Sequence, residues 1–395
     1  MKFPVEQFEG IQTPFYYYDR ALLQQTLDTI NHEASKYAGF RVHYAVKANV
    51  DPTVLSIINA AGLGCDCVSG GEVETCLRNG FPADKVVFAG VGKADWEINL
   101  ALDADIACFN VESVPELDVI NELAGAKGKV ARVAIRVNPN VDAHTHKYIT
   151  TGLSENKFGI SMEMLDMVVH HALGLKNISL EGLHFHIGSQ LLEFEPFTML
   201  CNRINDLQNR LEEQGVKLKS INVGGGLGVD YVQPDANPVP DFATFFKNYA
   251  DNIKLRNGQE LHFELGRSVV CQCGSLISRV LYVKEGLNKK FVILDAGMSD
   301  LIRPALYQAH HNIENITVQA AAGVESAGLI EAGVEMEKYD VVGPICESSD
   351  CFGTDEVLPV TKRGDLVALR SAGAYGQIMA SNYNCRKIPA SVVSK

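Results

Sequence analysis

Several short apolar runs in this chain end in residues that carry chemistry. Tyr44-Ala-Val-Lys47-Ala-Asn49 sets a lysine among apolar neighbours. Desolvation favours the neutral amine, the form that builds a Schiff base, whereas a solvated loop lysine stays charged. Gly182-Leu-His184-Phe-His186-Ile-Gly188-Ser189-Gln190 spaces two histidines by two. On a strand they share one face, where they would meet a ligand or, with Asp66 or Glu264, a metal. Val223-Gly224-Gly225-Gly226-Leu227-Gly228 allows backbone N–H groups to approach an anion closely. Its spacing is not the G-x-G-x-x-G of dinucleotide sites. Glu264-Leu265-Gly266-Arg267 places a carboxylate and a guanidinium three residues apart, to pair with each other or to serve a ring nitrogen and a phosphate. Arg136 ends a further apolar run and needs an anion, either a core carboxylate or a ligand. Ser69 and Glu72 fit a helix capping box as well as a functional site.

These residues need a frame. β-rich runs recur at 42–46, 65–68, 86–89, 106–109, 133–137, 183–187, 220–223 and 261–265. Helical patterns separate them at 52–61, 71–79, 94–102, 114–123, 162–173, 196–213 and 242–254. Strands joined through helices run parallel, and eight such units match a (β/α)8 TIM barrel better than an open doubly wound sheet. Chemistry in such barrels collects at the C-terminal strand ends, where these motifs fall. From Ser268 the rhythm changes. Runs at 268–283, 291–294, 316–319, 339–342 and 366–371 read as strands of a C-terminal β-sandwich or β-barrel domain, which 15–18 would join. The expected organisation is a barrel over 22–267 and a mostly β domain from 1–21 and 268–395.

One ligand uses all the motifs: a phosphate for Gly224, Gly225, Gly226 and Ser189, an aldehyde for Lys47, a flat ring for His186, and a ring nitrogen for Glu264. That ligand is pyridoxal 5′-phosphate, whose protonated ring is an electron sink. The chain resembles the fold-type III pyridoxal-phosphate decarboxylases, and within them the members that act on diaminopimelate. The resemblance spans nearly the whole chain. It runs from Thr13-Pro-Phe-Tyr through the motifs above to Asp295-Ala-Gly-Met, Arg303-Pro-Ala-Leu-Tyr307, Cys346-Glu347-Ser348-x-Asp350 and Gly373-Ala-Tyr375-Gly.

The resemblance implies that Lys47 is the Schiff-base lysine, that His186 stacks on the ring and that Glu264 holds the pyridinium nitrogen. Asp66, Arg136, Ser189, Gly224, Gly225, Gly226, Gly266, Arg267 and Tyr375 would complete the cofactor site. Cys346 would protonate the substrate carbon after CO2 leaves. Cys346 and Glu347 would come from a partner subunit, which implies a homodimer with shared active sites. The implied reaction converts meso-2,6-diaminopimelate to L-lysine and CO2, the last step of lysine biosynthesis. A substrate with a distal carboxylate and ammonium needs both charges, so Arg303, Tyr307 and Arg267 would take the carboxylate and Glu347 the ammonium, with Tyr375 beside them. An ornithine, arginine or carboxynorspermidine decarboxylase has no such use for Arg303. A metal-dependent barrel hydrolase would use His184 and His186, a non-catalytic regulator would need neither Lys47 nor Cys346, and alanine racemase has no role for Cys346 and Glu347. Leu265 stands where the family usually has Pro, so a slightly altered turn is expected.

The formal net charge of −13 over 395 residues argues against nucleic acid or an anionic membrane surface as the main partner. The N-terminal residues lack the apolar core of a secretory signal, and no apolar run reaches about 18 residues. Cys65-x-Cys67 and Cys271-x-Cys273 lack zinc spacing and read as small core residues, and the ten scattered cysteines read as reduced thiols of a cytoplasmic protein. Residues 138–160, with Asp142, His144, His146, Tyr148 and Lys157, start at the active-site face and read as a lid.

Overall fold

The computed structural model describes residues 2–141 and 157–395. They form two compact units, residues 26–228 with 240–269, and residues 1–25 with 229–239 and 270–395. Most of the expected lid, including Asp142, His144, His146 and Tyr148, lies outside the described residues.

The first unit is a closed parallel barrel. Its strands, in order, are Phe40–Ala45, Gly64–Cys67, Val86–Phe88, Cys108–Val111, Ala131–Asn138, Ile178–His184, Ser220–Asn222 and Glu260–Leu265. Each pairs with the next, and the eighth returns to the first, from Leu261 opposite Phe40 to Leu265 opposite Tyr44. Helix starts are set locally. The Asp51 side chain accepts from the Thr53 and Val54 N–H groups ahead of Pro52–Ala60. Ser113 accepts from Glu116 N–H ahead of Val114–Ala126, where Pro115 suits the first turn. The outer wall is closed by aromatic packing of Phe40, Phe245, Phe246 and Tyr249 on Phe263, with ring centroids 4.9–5.7 Å apart. Each such burial contributes about 1.5–3 kcal/mol.

Ser69 caps Gly70–Arg78, accepting from Glu72 N–H at 3.2 Å. The Glu72 carboxylate accepts from Val68 N–H at 2.7 Å, not from the cap residue itself, so the reciprocal box is incomplete. The sixth strand stops at His184. His186 therefore sits in the loop beyond it, and strand alternation does not govern its direction.

The second unit is a mostly antiparallel sheet in the order Ile313–Asn315, Leu366–Leu369, Gly274–Glu285, Lys290–Leu294, Met336–Val342 and Cys351–Pro359. Phe15–Tyr18 joins it beside Gly274–Ile277, and Ala390–Val393 pairs with its other edge. Phe3, Phe8, Phe15, Tyr17, Ile277 and Ile316 share one core cluster. Residues 229–239 belong to this unit, where Asp235 pairs with buried Arg370 at 2.7 Å and Glu314 takes the other side at 2.6 Å.

Two expectations for this unit are corrected. Ser268 lies in a helical turn, Arg267–Val270, and the strand begins at Gly274. Residues 316–319 are helical within Ile316–Ala322. Asn315 caps that helix by accepting from Val318 N–H at 3.1 Å, and Gly323 ends it at φ 72°. Cap and stop outweigh the β preference of Ile316, Thr317 and Val318.

Candidate active site

The interior of the barrel is polar toward the C-terminal strand ends. Glu264, near the end of the eighth strand, is the hub. One carboxylate oxygen accepts from Asn222 at 2.7 Å and Asn110 at 3.1 Å, and the other faces His184 Nε2 at 2.9 Å. Burial would raise this carboxyl, but His184, Lys47 and His186 hold it well below the usual carboxylate range. Glu264 is therefore ionised in the barrel interior.

Lys47 lies two residues past the first strand, in the turn Val46–Ala48. Buried Val46 and Ala48 flank it, and the Tyr44 hydroxyl braces the turn by donating to the Asn49 carbonyl at 2.9 Å. Its ammonium is 3.9 Å from Asp66 Oδ2. Burial, then the charge of Glu264, pushes the Asp66 carboxyl well above its usual range, against the pull of Lys47. Asp66 Oδ1 and His184 Nδ1 are buried with no hydrogen-bond partner among the described residues. Such orphans are costly in a finished core. His186 is half-buried, and desolvation, then Lys47 and Arg136, drive its pKa well below the histidine value, so its ring is neutral.

The glycines are sterically required. A Cβ on Gly225 would sit 2.1 Å from the Glu264 carbonyl oxygen. Gly224 adopts φ 67°, and a Cβ there would reach 2.5 Å from the Phe185 carbonyl and 3.0 Å from the His186 ring. Gly226 follows at φ 117°. Next to this turn Ser189 Oγ accepts from Arg267 Nε and Nη2 at 3.3 and 3.2 Å. Gly266 packs against Ala45, which a side chain would strike at 3.0 Å. Leu265 continues the strand in register with Tyr44, so the stretch carrying Glu264 stays regular.

Arg136 takes the core-carboxylate alternative. Its guanidinium bonds Glu112 at 2.7 Å and lies 4.7 Å over the Phe158 ring. Glu112 also accepts from Gly90 N–H and Gly159 N–H at 3.1 and 2.9 Å. Glu112, Asn110 and Asn222 were missed in the sequence. Their signal was available: an acid or amide next to apolar residues of a parallel strand must find a buried partner. His184 spends Nε2 on Glu264, and among the described residues no three His, Cys, Asp or Glu side chains converge as metal ligands.

The remaining predicted residues belong to the β unit. Arg303 is buried, its guanidinium 5.2 Å over Tyr231 and 5.8 Å over Tyr307. It makes no ion pair among the described residues. Cys346 and Glu347 are exposed on a loop pinned by buried Asp350, whose carboxylate accepts from Ile345 and Met298 N–H groups, each at 2.6 Å. The Tyr383 hydroxyl donates to Glu347. Tyr375 has φ 57°, a strained value for a tyrosine.

A parallel barrel with an amine, an ionised buried carboxylate and a glycine turn at its mouth defines a pyridoxal-phosphate enzyme of the barrel type. Residues 23–271 match the family described as pyridoxal-dependent decarboxylase, pyridoxal binding domain. A diaminopimelate decarboxylase of Bacteroides thetaiotaomicron is 61% identical over 392 residues, covering 99% of this chain and 98% of that protein. The crystal structure of diaminopimelate decarboxylase from Helicobacter pylori complexed with L-lysine superposes with a TM-score of 0.88 at 37% identity, covering 99% and 94% of the two chains. The lysine/ornithine decarboxylase of Vibrio vulnificus complexed with putrescine, at 22% identity and a TM-score of 0.82 over 99% and 97% of the two chains, shares the fold. The chain belongs to the pyridoxal-dependent decarboxylase family, in its diaminopimelate decarboxylase branch. Pyridoxal phosphate is the cofactor of that family, and the residues here fit it: one orphaned oxygen on Asp66 and one orphaned nitrogen on His184, a cradle with no room for a Cβ, and an ionised carboxylate for a pyridinium.

Proposed function

We propose that this protein decarboxylates meso-2,6-diaminopimelate to L-lysine and CO2. The observation that carries the choice of substrate is Arg303, a buried guanidinium with no carboxylate partner among the described residues. An uncompensated buried charge is costly, and an anionic ligand removes that cost. Diaminopimelate brings a carboxylate at the end that does not react. Ornithine brings none. Purified protein supplied with pyridoxal phosphate should release CO2 and lysine from meso-diaminopimelate and leave ornithine untouched. Turnover of ornithine alone would overturn this reading of Arg303.

Bound pyridoxal phosphate supplies an electron sink for the charge left as CO2 departs. Lys47 would hold it through Nζ, which lies 3.9 Å from Asp66 Oδ2. Glu264, held ionised by His184 and two amides, keeps the ring nitrogen protonated. Neutral His186 packs on the ring face. The Gly225 and Gly226 amides, Ser189, Arg267 and Tyr375 would take the phosphate, while the Gly224 N–H is spent on Asn222 Oδ1 at 2.9 Å and shapes the turn. Gly266 lets the Arg267 turn pass close to the strand, and Arg136 walls the site from its Glu112 anchor. Cys346 Sγ–H delivers the proton to the substrate carbon. Arg303, with Tyr307 and Arg267, receives the distal carboxylate beside Tyr375, and Glu347 receives the distal ammonium. Cys346→Ala should lower kcat by about 10²–10⁴, the usual range for a lost proton donor, with cofactor still bound.

We further propose a homodimer with shared sites. An exposed thiol on a loop fixed by a buried carboxylate suits a group presented to another subunit. Mixing Lys47→Ala with Cys346→Ala protein should then restore activity that neither has alone. The ten cysteines are all free thiols, which suits a reducing cytoplasm.

A further inference from the structure

Arg303 is the residue on which the choice of substrate turns, and its surroundings say what aims it. Its one hydrogen bond among the described residues runs from Nε to His311 Nε2, at 3.4 Å. The two terminal nitrogens take no part in it. The other ring nitrogen, His311 Nδ1, lies 2.8 Å from the Arg370 carbonyl. A carbonyl only accepts, so Nδ1 carries the proton and Nε2 presents a lone pair to the Arg303 N–H. One neutral tautomer satisfies both bonds. The Arg370 end of this relay is itself fixed by Glu314 and Asp235. His311 is fully buried. Tyr231 closes the other side: the Arg303 guanidinium lies over its ring, the ring meets His311 edge-on at 5.3 Å, and its hydroxyl meets Cys271 Sγ at 3.3 Å. A guanidinium over a ring face is attracted to it without spending its N–H donors.

We propose that His311 and Tyr231 form a clamp that positions Arg303 with both terminal nitrogens free to take the distal carboxylate of the substrate. Both are positioning residues that determine specificity through Arg303. The inference rests on the reading of Arg303 given above.

The test uses the holoenzyme and two ligands that differ at the distal end. L-Lysine carries the distal carboxylate, and cadaverine lacks it. Dissociation constants would be measured by calorimetry for the parent, Arg303→Ala, His311→Phe, His311→Gln and Tyr231→Leu. His311→Phe should weaken lysine by about tenfold, the loss expected for one hydrogen bond to a charged group, and leave cadaverine within about twofold. The glutamine amide can accept from Arg303 and donate to the Arg370 carbonyl, so His311→Gln should recover most of that loss. If His311→Phe does not fold, Tyr231→Leu carries the same expectation from the opposite side of the clamp. Equal weakening of both ligands in the clamp variants, or no weakening of either, would overturn the inference. Unchanged discrimination in Arg303→Ala would instead overturn the reading of Arg303, and the clamp with it.

Discussion

Toward the N-terminal end of the barrel, His43 donates from Nδ1 to the Lys85 carbonyl at 3.2 Å and meets His262 Nδ1 through Nε2 at 3.0 Å. Glu260 pairs with Arg41 at 2.7 Å. Each of these side chains has a partner from the chain. At the C-terminal end, Asp66 and Glu264 are buried close enough to raise one carboxyl against the other, and Asp66 Oδ1 and His184 Nδ1 have no partner among the described residues. The same eight strands thus hold a closed network at one end and an open, mutually repelling one at the other. Unpartnered buried polar atoms also occur among the outer helices, at Gln208 and Tyr249, so what sets the C-terminal end apart is two such atoms beside two buried carboxyls that oppose each other, an arrangement that suits a ligand.

Three substitutions break or sharpen this contrast. Glu264→Gln keeps the size of the hub and removes its charge. It should cut kcat by about a hundred- to a thousandfold, the scale of a lost electrostatic stabiliser, and shift the visible absorbance of the cofactor. Steady-state kinetics and the spectrum check both. Asp66→Asn removes the repulsion at the mouth. It should raise unfolding stability without cofactor by about 1 kcal/mol while lowering activity, as relief of a strained site does. Denaturant unfolding paired with an activity assay decides, and a loss of stability would place Asp66 among ordinary core groups.

The smallest effect belongs to the closed end. Burial, then the neighbouring His262, lowers the His43 pKa from 6.5 to about 3. The unfolded chain binds a proton that folded His43 refuses, so its contribution is present above about pH 6.5 and is lost as pH falls toward 3. His43→Gln should flatten the fall in urea midpoint between about pH 7 and about pH 5, because it removes a group that titrates in that window. An unchanged pH slope would show that His43 does not govern it.

Much of the fold and of the site was legible in the sequence. Each of the eight apolar runs overlaps a barrel strand, the sixth only at 183–184, because a parallel strand buried on both faces needs a continuous apolar stretch. Lys47, Gly224–Gly226 and Glu264 stood out because each follows or ends such a run. What hid was decided by non-local partners. Arg136 announced its need for an anion, but not that Glu112, just past the neighbouring strand, would meet it. Asn110 and Asn222 looked like strand filler until Glu264 drew both. The strand Cys351–Pro359 was missed because its Gly-Thr-Asp-Glu centre is half exposed and carries no apolar alternation. The helix at 316–322 was hidden by β-branched residues that a cap at Asn315 overruled. His311 gave no signal, since its work is done on Arg303 across the β unit.

We propose that the open end of the barrel holds pyridoxal phosphate on Lys47. The direct measurement is to load the protein with pyridoxal phosphate, reduce with sodium borohydride, digest, and locate the label by mass spectrometry. A single phosphopyridoxyl group on the peptide bearing Lys47, absent from Lys47→Ala, is the predicted result. Label on other lysines, or label undiminished in Lys47→Ala, would contradict it.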